Sequence, residues 1–452
     1  MWDDTIAAVA TALGEAGLAI IRISGGASIT VAGKIFVRSS TQDSSLDAVP
    51  SHTVHYGKIV QDGQVLDEVL VTVMRAPRTF TREDTVEIAC HGGVLVTKTI
   101  LDAVLANGAR LALPGEFTRR AFLNGRIDLT QAEAVADLIH ARSELAMQAA
   151  NAQLAGGLSY KINTLRDDLM KTLAHIEAHI DFPDEDIAPD SRAALQVRLE
   201  SAVDFVDELL RLAKEGQILR RGVRAAIIGE PNVGKSSLLN QLLGRDRAIV
   251  SPIPGTTRDT IEETANIGGI PITFVDTAGL RDSVDMVEQE GMRRSLASAT
   301  EAELILYVVD ASSPVSDAQR AKAWREEEHT LVVRNKIDLG VSALPTSSRT
   351  VDVSCVTGQG IEALKDAIKE MFWSGSIEAE MIEVMINARH QNALHRARAA
   401  LLETVESFSA ERGLELIAVD LRAAASAVGE IVGKTCTDDL LDAIFSQFCL
   451  GK

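Results

Sequence analysis

Apolar residues recur along the chain with two different periods, and the change of period marks its organisation. From residue 1 to about 118, short apolar runs alternate with turn signals. Positions 19–23, 53–60 and 69–74 read as strands, and Asp62-Gly63 is a strong hairpin turn between the last two. This stretch predicts an α+β domain over 1–118. From Arg119 the apolar spacing becomes three and four. Alanine-rich helices fill 129–180, Asp181-Phe182-Pro183-Asp184 breaks them, and a further helix over 193–214 leads straight into the next apolar run. Strand-like runs return at 225–228, 272–275, 331–333 and 350–353, and this section closes near Trp373. Helical periodicity resumes at Ala388 and continues to the end. Two helical blocks, 119–215 and 377–452, therefore flank an α/β section, 216–376. The pattern predicts a multidomain chain in which the α/β domain is inserted into a single helical one, because insertions are tolerated where a domain's ends lie together at its surface.

Composition narrows the class. A length of 452 residues predicts about three domains, and 46% hydrophobic residues suffices for packed cores. No apolar run approaches the roughly 18 residues of a spanning helix, and the amino-terminal stretch lacks a basic region followed by an apolar one. The four cysteines, Cys90, Cys355, Cys436 and Cys449, are scattered, without metal-like or disulfide-like spacing, so a reducing cytoplasm is expected. A net charge of −19 argues against a broad phosphate-neutralising surface. Any nucleic-acid contact then needs a local basic patch or a basic partner.

The chemistry concentrates at Gly229-Glu-Pro-Asn-Val-Gly-Lys-Ser236, which follows the apolar run 225–228 and opens a helix. The spacing G-x-x-x-x-G-K-S lets backbone N–H groups wrap a polyphosphate, with Gly229 and Gly234 permitting the loop and Asn232, Val233 and Ser237 belonging to its wall. Lys235 reaches the outer phosphates and the Ser236 hydroxyl ligates Mg²⁺. A chance glycine-rich turn is the competing reading, and three further loops weigh against it. Asp276-Thr277-Ala278-Gly279 closes one apolar run and puts an aspartate where it holds the metal's water shell. Asn335-Lys336-Ile337-Asp338 ends another. A carboxylate there accepts both the ring N–H and the exocyclic amine of guanine, whereas adenine has no matching pair of donors, so GTP is expected rather than ATP. Ser354, just past the last strand, is placed to finish the base pocket. Four such loops in this order describe a Ras-like P-loop GTPase.

Where Ras-like enzymes carry a water-orienting glutamine, this chain has Leu280. Either a monovalent cation or an arginine must then meet the developing charge. The side-chain oxygen of Asn232, with carbonyls from the Ser251-Pro-Ile253-Pro-Gly-Thr256 segment, suits a cation doing an arginine finger's work. The competing role for Asn232 is shaping the loop. Arg258 and Arg281 are the rival charge stabilisers. One of Thr256 and Thr257, with Thr257 preferred, completes the Mg²⁺ shell. The acidic stretch 282–290 holds a candidate water-positioning group or is a solvated helix face. In the first domain, Arg82, Glu83, Asp84, Glu87 and His91-Gly92-Gly93 form either a ligand pocket or a solvated hairpin edge. Cys449 lies at the end of an apolar run, as a packed small hydrophobe or as a thiol beside a positively charged tail. Gly451-Lys452 after it does not fit a prenylation signal.

Gly17-Leu-Ala-Ile-Ile-Arg-Ile-Ser24, Pro114-Gly-Glu-Phe-Thr-Arg-Arg-Ala-Phe-Leu-Asn-Gly125, Gly255-Thr-Thr-Arg-Asp259 and Phe448-Cys-Leu-Gly-Lys452 resemble the tRNA-modifying GTPase MnmE (TrmE) family, and the resemblance runs along essentially the whole chain. It implies a homodimer that binds 5-formyl-tetrahydrofolate or a related folate in its amino-terminal domain. It also implies a flavin-containing partner, MnmG (GidA), which carries the FAD, in a heterotetramer or larger complex. Together they place an aminomethyl-type group on carbon 5 of the wobble uridine of certain tRNAs. The family is potassium-activated, which favours a K⁺ site of Asn232, Ser251, Ile253 and Thr256, and its nucleotide domains pair during hydrolysis. Alignment to its motifs makes Glu288 the water-positioning residue and Cys449 functional in modification. Arg22, Glu87 and Arg119 are carried over as folate contacts, since an acidic tail asks for arginine and a pteridine's donors ask for a carboxylate. Lys452 joins the cofactor-binding set on the same ground. The rival reading is a regulatory or ribosome-assembly GTPase without its own modification chemistry.

Overall fold

A computed structural model describes residues 4–39, 45–181, 192–244, 263–275, 302–312, 329–340, 349–372, 386–410, 412–449 and 451. The chain divides into two compact units, 1–136 with 429–452, and 137–428.

The first unit opens with β1 (Ile6–Val9), β2 (Ala16–Ser24), helix α1 (Ser28–Ile35) and β3 (Phe36–Arg38). There follow β4 (Thr53–Gln61), β5 (Gln64–Met74), β6 (Thr85–Gly92), α2 (Val94–Ala106), β7 (Arg110–Leu111), α3 (Glu116–Leu123) and α4 (Leu129–His140). The strands form one sheet in the order β3-β4-β5-β6-β2-β1-β7. Strand alternation sorts its two faces. Ile21 and Ile23 of β2, Val69, Val71 and Val73 of β5 and Ile88 of β6 point into a core shared with Ile29 and Ile35 of α1 and Ile100 and Val104 of α2. The positions between them leave Val54, Tyr56 and Leu70 exposed on the opposite face. The hairpin turn is as expected from its residues. Gln61 pairs with Gln64, and Asp62 and Gly63 sit at φ 50° and 79°, the double left-handed geometry whose twist matches the strands.

The second unit continues with α5 (Glu144–Leu154), α6 (Gly157–Asp181) and α7 (Arg192–Arg221). Helix α7 runs beyond the expected stop at Lys214, because Glu215-Gly216 is followed by good helix formers, and a single interior glycine costs only about 1 kcal/mol. Then come β8 (Val223–Gly229), α8 (Lys235–Leu243), β9 (Glu263–Ile267), β10 (Ile270–Phe274), β11 (Leu304–Asp310), β12 (Thr330–Asn335), β13 (Thr350–Asp352) and α9 (Ile361–Phe372). These strands order as β13-β12-β11-β8-β10-β9, with every neighbouring pair parallel except β9 with β10. Parallel strands covered on both faces read as unbroken apolar runs, and Leu304 to Val309 of β11 are all buried. Helices α10 (Ala388–Ser409) and α11 (Leu414–Val432) complete the helical part. Asn387 starts α10 through a reciprocal cap with His390, and Arg398 of α10 pairs with Asp207 of α7.

The last helix, α12 (Asp438–Phe445), belongs to the first unit. Its Leu441, Ile444 and Phe445, with Phe448, pack against Leu129 and Ala132 of α4. Helical periodicity says that 377–452 is helical but not which body each helix covers. Among the described residues no helix is long and apolar enough to cross a membrane.

Candidate functional site

The phosphate loop links the buried strand β8 to α8. Gly234 stands at φ 99° and, as the N-cap of α8, offers it no side-chain bond, an arrangement suited to an anion at the first-turn N–H groups. A Cβ on Gly234 would fall 2.2 Å from Asn335 Nδ2, and one on Gly229 would fall 2.3 Å from the Val308 carbonyl oxygen. Both glycines are therefore required by close approach. Asn232 adopts a left-handed φ of 63°, which asparagine tolerates better than most residues. The Lys235 ammonium donates to the carbonyls of Gly229 (3.0 Å) and Glu230 (2.8 Å). Burial lowers its pKa. A half-buried cation among neutral acceptors fits an incoming polyphosphate.

Asn335, at the end of β12 and 2% exposed, ties three loops together. Its Nδ2 donates to the Val233 carbonyl in the phosphate loop (2.8 Å), and its Oδ1 accepts from the Cys355 N–H (3.1 Å). Gln241 of α8 donates to the Cys355 carbonyl (2.8 Å), so the helix after the phosphate loop also holds the base loop. Ser354 Oγ donates to Asp338 Oδ1 at 2.5 Å, which fixes that carboxylate with its other oxygen available to a base. Lys336, between them, is paired with Asp310 at 2.7 Å.

This clamp carries a prediction. Asn335→Asp keeps the acceptor for Cys355 but sets a carboxylate against the Val233 carbonyl, so it should destabilise the second unit by about 2–3 kcal/mol, the cost of an unsatisfied buried polar pair. Urea denaturation checks it, and an unchanged midpoint would mean that the clamp contributes nothing.

Other expected site residues lie outside the described residues: Ser251, Ile253, Thr256, Thr257, Arg258, Asp276, Thr277, Ala278, Gly279, Arg281, Glu288 and Lys452. Ser236 and Ser237 are in the first turn of α8. Among the described residues no group of three or more His, Cys, Asp or Glu side chains is arranged to hold a metal.

In the first unit, strand register sets Arg22 opposite Glu87, and they pair at 2.8 Å. Arg22 also lies over the Phe117 ring at 5.8 Å and donates to the Gly451 carbonyl at 3.4 Å. Gly451 is seated against β1, since a Cβ on it would fall 2.2 Å from the Val9 carbonyl oxygen. Cys449 is exposed. Arg119 pairs with Asp442 of α12 at 2.6 Å.

Glu83 is bonded inward, whereas Asp84 is bonded to backbone at the surface. Glu83 accepts from Ser24 Oγ (2.8 Å) and the buried Arg120 (3.1 Å), and Asp84 accepts from the Ala76 N–H (2.8 Å). Arg120 is a residue the sequence reading passed over. It is 1% exposed and also meets Asp4 (2.8 Å) and Glu116 (3.0 Å). Its sequence signals are its place in the Pro114–Gly125 stretch and the i, i+4 spacing from Glu116.

Residues 5–126 match the family model described as the GTP-binding protein TrmE N-terminus, and residues 129–449 match that of the MnmE helical domain. The tRNA modification GTPase MnmE of Geobacillus kaustophilus is 45% identical over 460 residues, covering 99% of each chain. That of Geobacter metallireducens is 46% identical over 458 residues, covering 100% of this chain and 99% of its own. Among solved structures, the G domain of the T. maritima FeoB iron transporter is 27% identical over 33% of this chain and 98% of its own, at a TM-score of 0.25, too low to bear on the fold. With two family models matched in sequence and relatives aligned from end to end, the chain belongs to the MnmE family of tRNA modification GTPases.

Proposed function

We propose that this protein hydrolyses GTP in the modification of tRNA, acting with a flavin-containing partner of the MnmG type on carbon 5 of the wobble uridine. One observation carries the GTP reading. The Asp338 carboxylate, held by Ser354, stands on the same loop as Asn335, which grips the phosphate loop through the Val233 carbonyl. A guanine-reading acceptor and a polyphosphate cradle are thus one bonded assembly. The full-length likeness to tRNA modification GTPases supports the rest.

Within this reading Gly229, Asn232 to Ser237 and Lys235 bind the phosphates, and Asn335, Lys336, Asp338 and Ser354 bind the base. Ser236 and Thr257 would hold Mg²⁺, while Asn232, Ser251, Ile253 and Thr256 would hold K⁺. When bound, these ions supply fixed positive charge at the phosphates. Asp276 would hold the metal's water shell, Thr256 and Thr277 to Gly279 would contribute to nucleotide binding, and Glu288 would position water. Arg22, Glu87, Arg119 and Lys452 take a folate of the 5-formyl-tetrahydrofolate type, and Cys449 acts in modification. The bare sheet face with Val54, Tyr56 and Leu70 supports a homodimer through the first unit. The scattered spacing of the four cysteines supports a cytoplasmic protein.

Two measurements test the reading. A nucleoside mass profile of bulk tRNA from a deletion strain should lack the modified wobble uridine, with wild type restoring it and Lys235→Ala not. Accumulated ribosomal precursors with normal tRNA nucleosides would instead support an assembly factor. For the folate, calorimetry with 5-formyl-tetrahydrofolate should find Glu87→Ala weakened about tenfold or more, because a charged acceptor contributes about 1.5–3 kcal/mol. Wild-type affinity would leave Glu87 as the cross-strand partner of Arg22 only.

A further inference from the structure

Asp310 ends β11, a strand buried up to Val309. Its Oδ1 accepts from the Ser312 N–H (2.9 Å) and Oγ (2.6 Å), and its Oδ2 accepts from the Lys336 ammonium (2.7 Å). Burial raises the carboxyl pKa, but the Lys336 and Ser312 bonds outweigh it and leave the net shift downward, so the group is ionised at neutral pH. The two loops are also joined through the backbone, the Ala311 N–H donating to the Asn335 carbonyl at 2.8 Å.

Lys336 itself stands at a left-handed φ of 68° and opens the short turn Ile337–Leu339 that contains Asp338. Glycine or asparagine suits that backbone better. A lysine there indicates that its side chain is wanted, and the partner of that side chain is Asp310. The pair is partly exposed, at 18% for Asp310 and 30% for Lys336.

We propose that Asp310 is a positioning residue for guanine recognition: by anchoring the Lys336 ammonium it holds the turn that aims Asp338, and so sets both affinity and base selectivity without touching the nucleotide. The proposal rests on the GTP reading above. It differs from a loop staple in one respect. A staple affects all nucleotides alike, whereas an aimed Asp338 matters most for the exocyclic amine that guanine has and hypoxanthine lacks.

The test is steady-state turnover of GTP and ITP by the full chain carrying Asp310→Asn or Ser312→Ala. Asp310→Asn should raise KM for GTP about fivefold, as expected for a partly exposed ion pair, with kcat held within about twofold. KM for ITP should rise less, so that the preference for GTP over ITP falls. Ser312→Ala, which loosens the carboxylate without removing its charge, should move both in the same direction by a smaller amount. An unchanged GTP to ITP preference in both variants would overturn the proposal, as would a fall in kcat with that preference intact. If Asp310→Asn fails to fold, Ser312→Ala decides by the same readout. Absence of GTP turnover in the wild type would overturn the functional reading itself, a result distinct from equal behaviour of wild type and variants.

Discussion

Asp338→Asn should weaken GTP binding by about 100-fold or more and make xanthosine triphosphate the better substrate. The loss follows from removing a charged acceptor for two guanine donors, each contributing about 1.5–3 kcal/mol when charged. The gain follows from how the side chain is held. Ser354 Oγ donates to Asp338 Oδ1, so an asparagine placed there keeps its amide oxygen towards Ser354. That oxygen has a second lone pair for the ring N–H. The amide nitrogen is then left to donate to the carbonyl that xanthine carries where guanine has its amine. Binding of the two triphosphates to wild type and variant reads this directly, and undiminished GTP affinity would remove Asp338 from the base pocket.

Loss of the Asn232 side chain should slow GTP hydrolysis by about 100-fold, the order found on removing one preorganised charge-stabilising group, and should abolish its dependence on potassium. The left-handed backbone of Asn232 decides how this is tested. Asn232→Ala combines loss of the side-chain oxygen with backbone strain, whereas Asn232→Gly removes the oxygen and relieves the backbone. If asparagine is there only to shape the loop, the glycine variant should keep both turnover and the potassium response. If its oxygen is a cation ligand, both variants should bind GTP through Lys235 and the backbone amides yet turn it over equally slowly in potassium and in sodium. Equal rates in the two ions for the wild type would end the cation hypothesis and turn attention to Arg258 and Arg281.

Local patterns were legible in this chain wherever one element decides its own shape. Asp62-Gly63 specifies a turn whatever surrounds it, and G-x-x-x-x-G-K-S specifies a loop whose glycines are also required by Val308 and Asn335. The Asn335 loop was legible for the same reason, since it closes a run of buried strand residues, whereas the Ser354 loop follows β13, whose residues are only partly buried. What could not be read were pairings between distant residues. Arg119 carries no mark of its bond to Asp442, 323 positions away, and Arg120 none of its bond to Glu83. Asp310 shows the intermediate case. An acidic residue closing the run 304–309 is visible in sequence, but its meaning depends on Lys336, which comes from another loop. Helical periodicity in 388–449 likewise shows which face is apolar and leaves open which body it covers.

The return of residues 429–451 to the first unit bears on how the protein is made. Phe445 and Phe448 lie against Leu129 and Ala132, and the residues between, 137–428, take roughly 15–60 s to translate at ordinary rates. During that interval the Leu129 and Ala132 face of the amino-terminal part waits for the residues that cover it. A chain truncated after the nucleotide domain would keep the sheet core of the first unit, which lies within residues 7–109, but would leave the Leu129 and Ala132 face of α4 without Phe445 and Phe448.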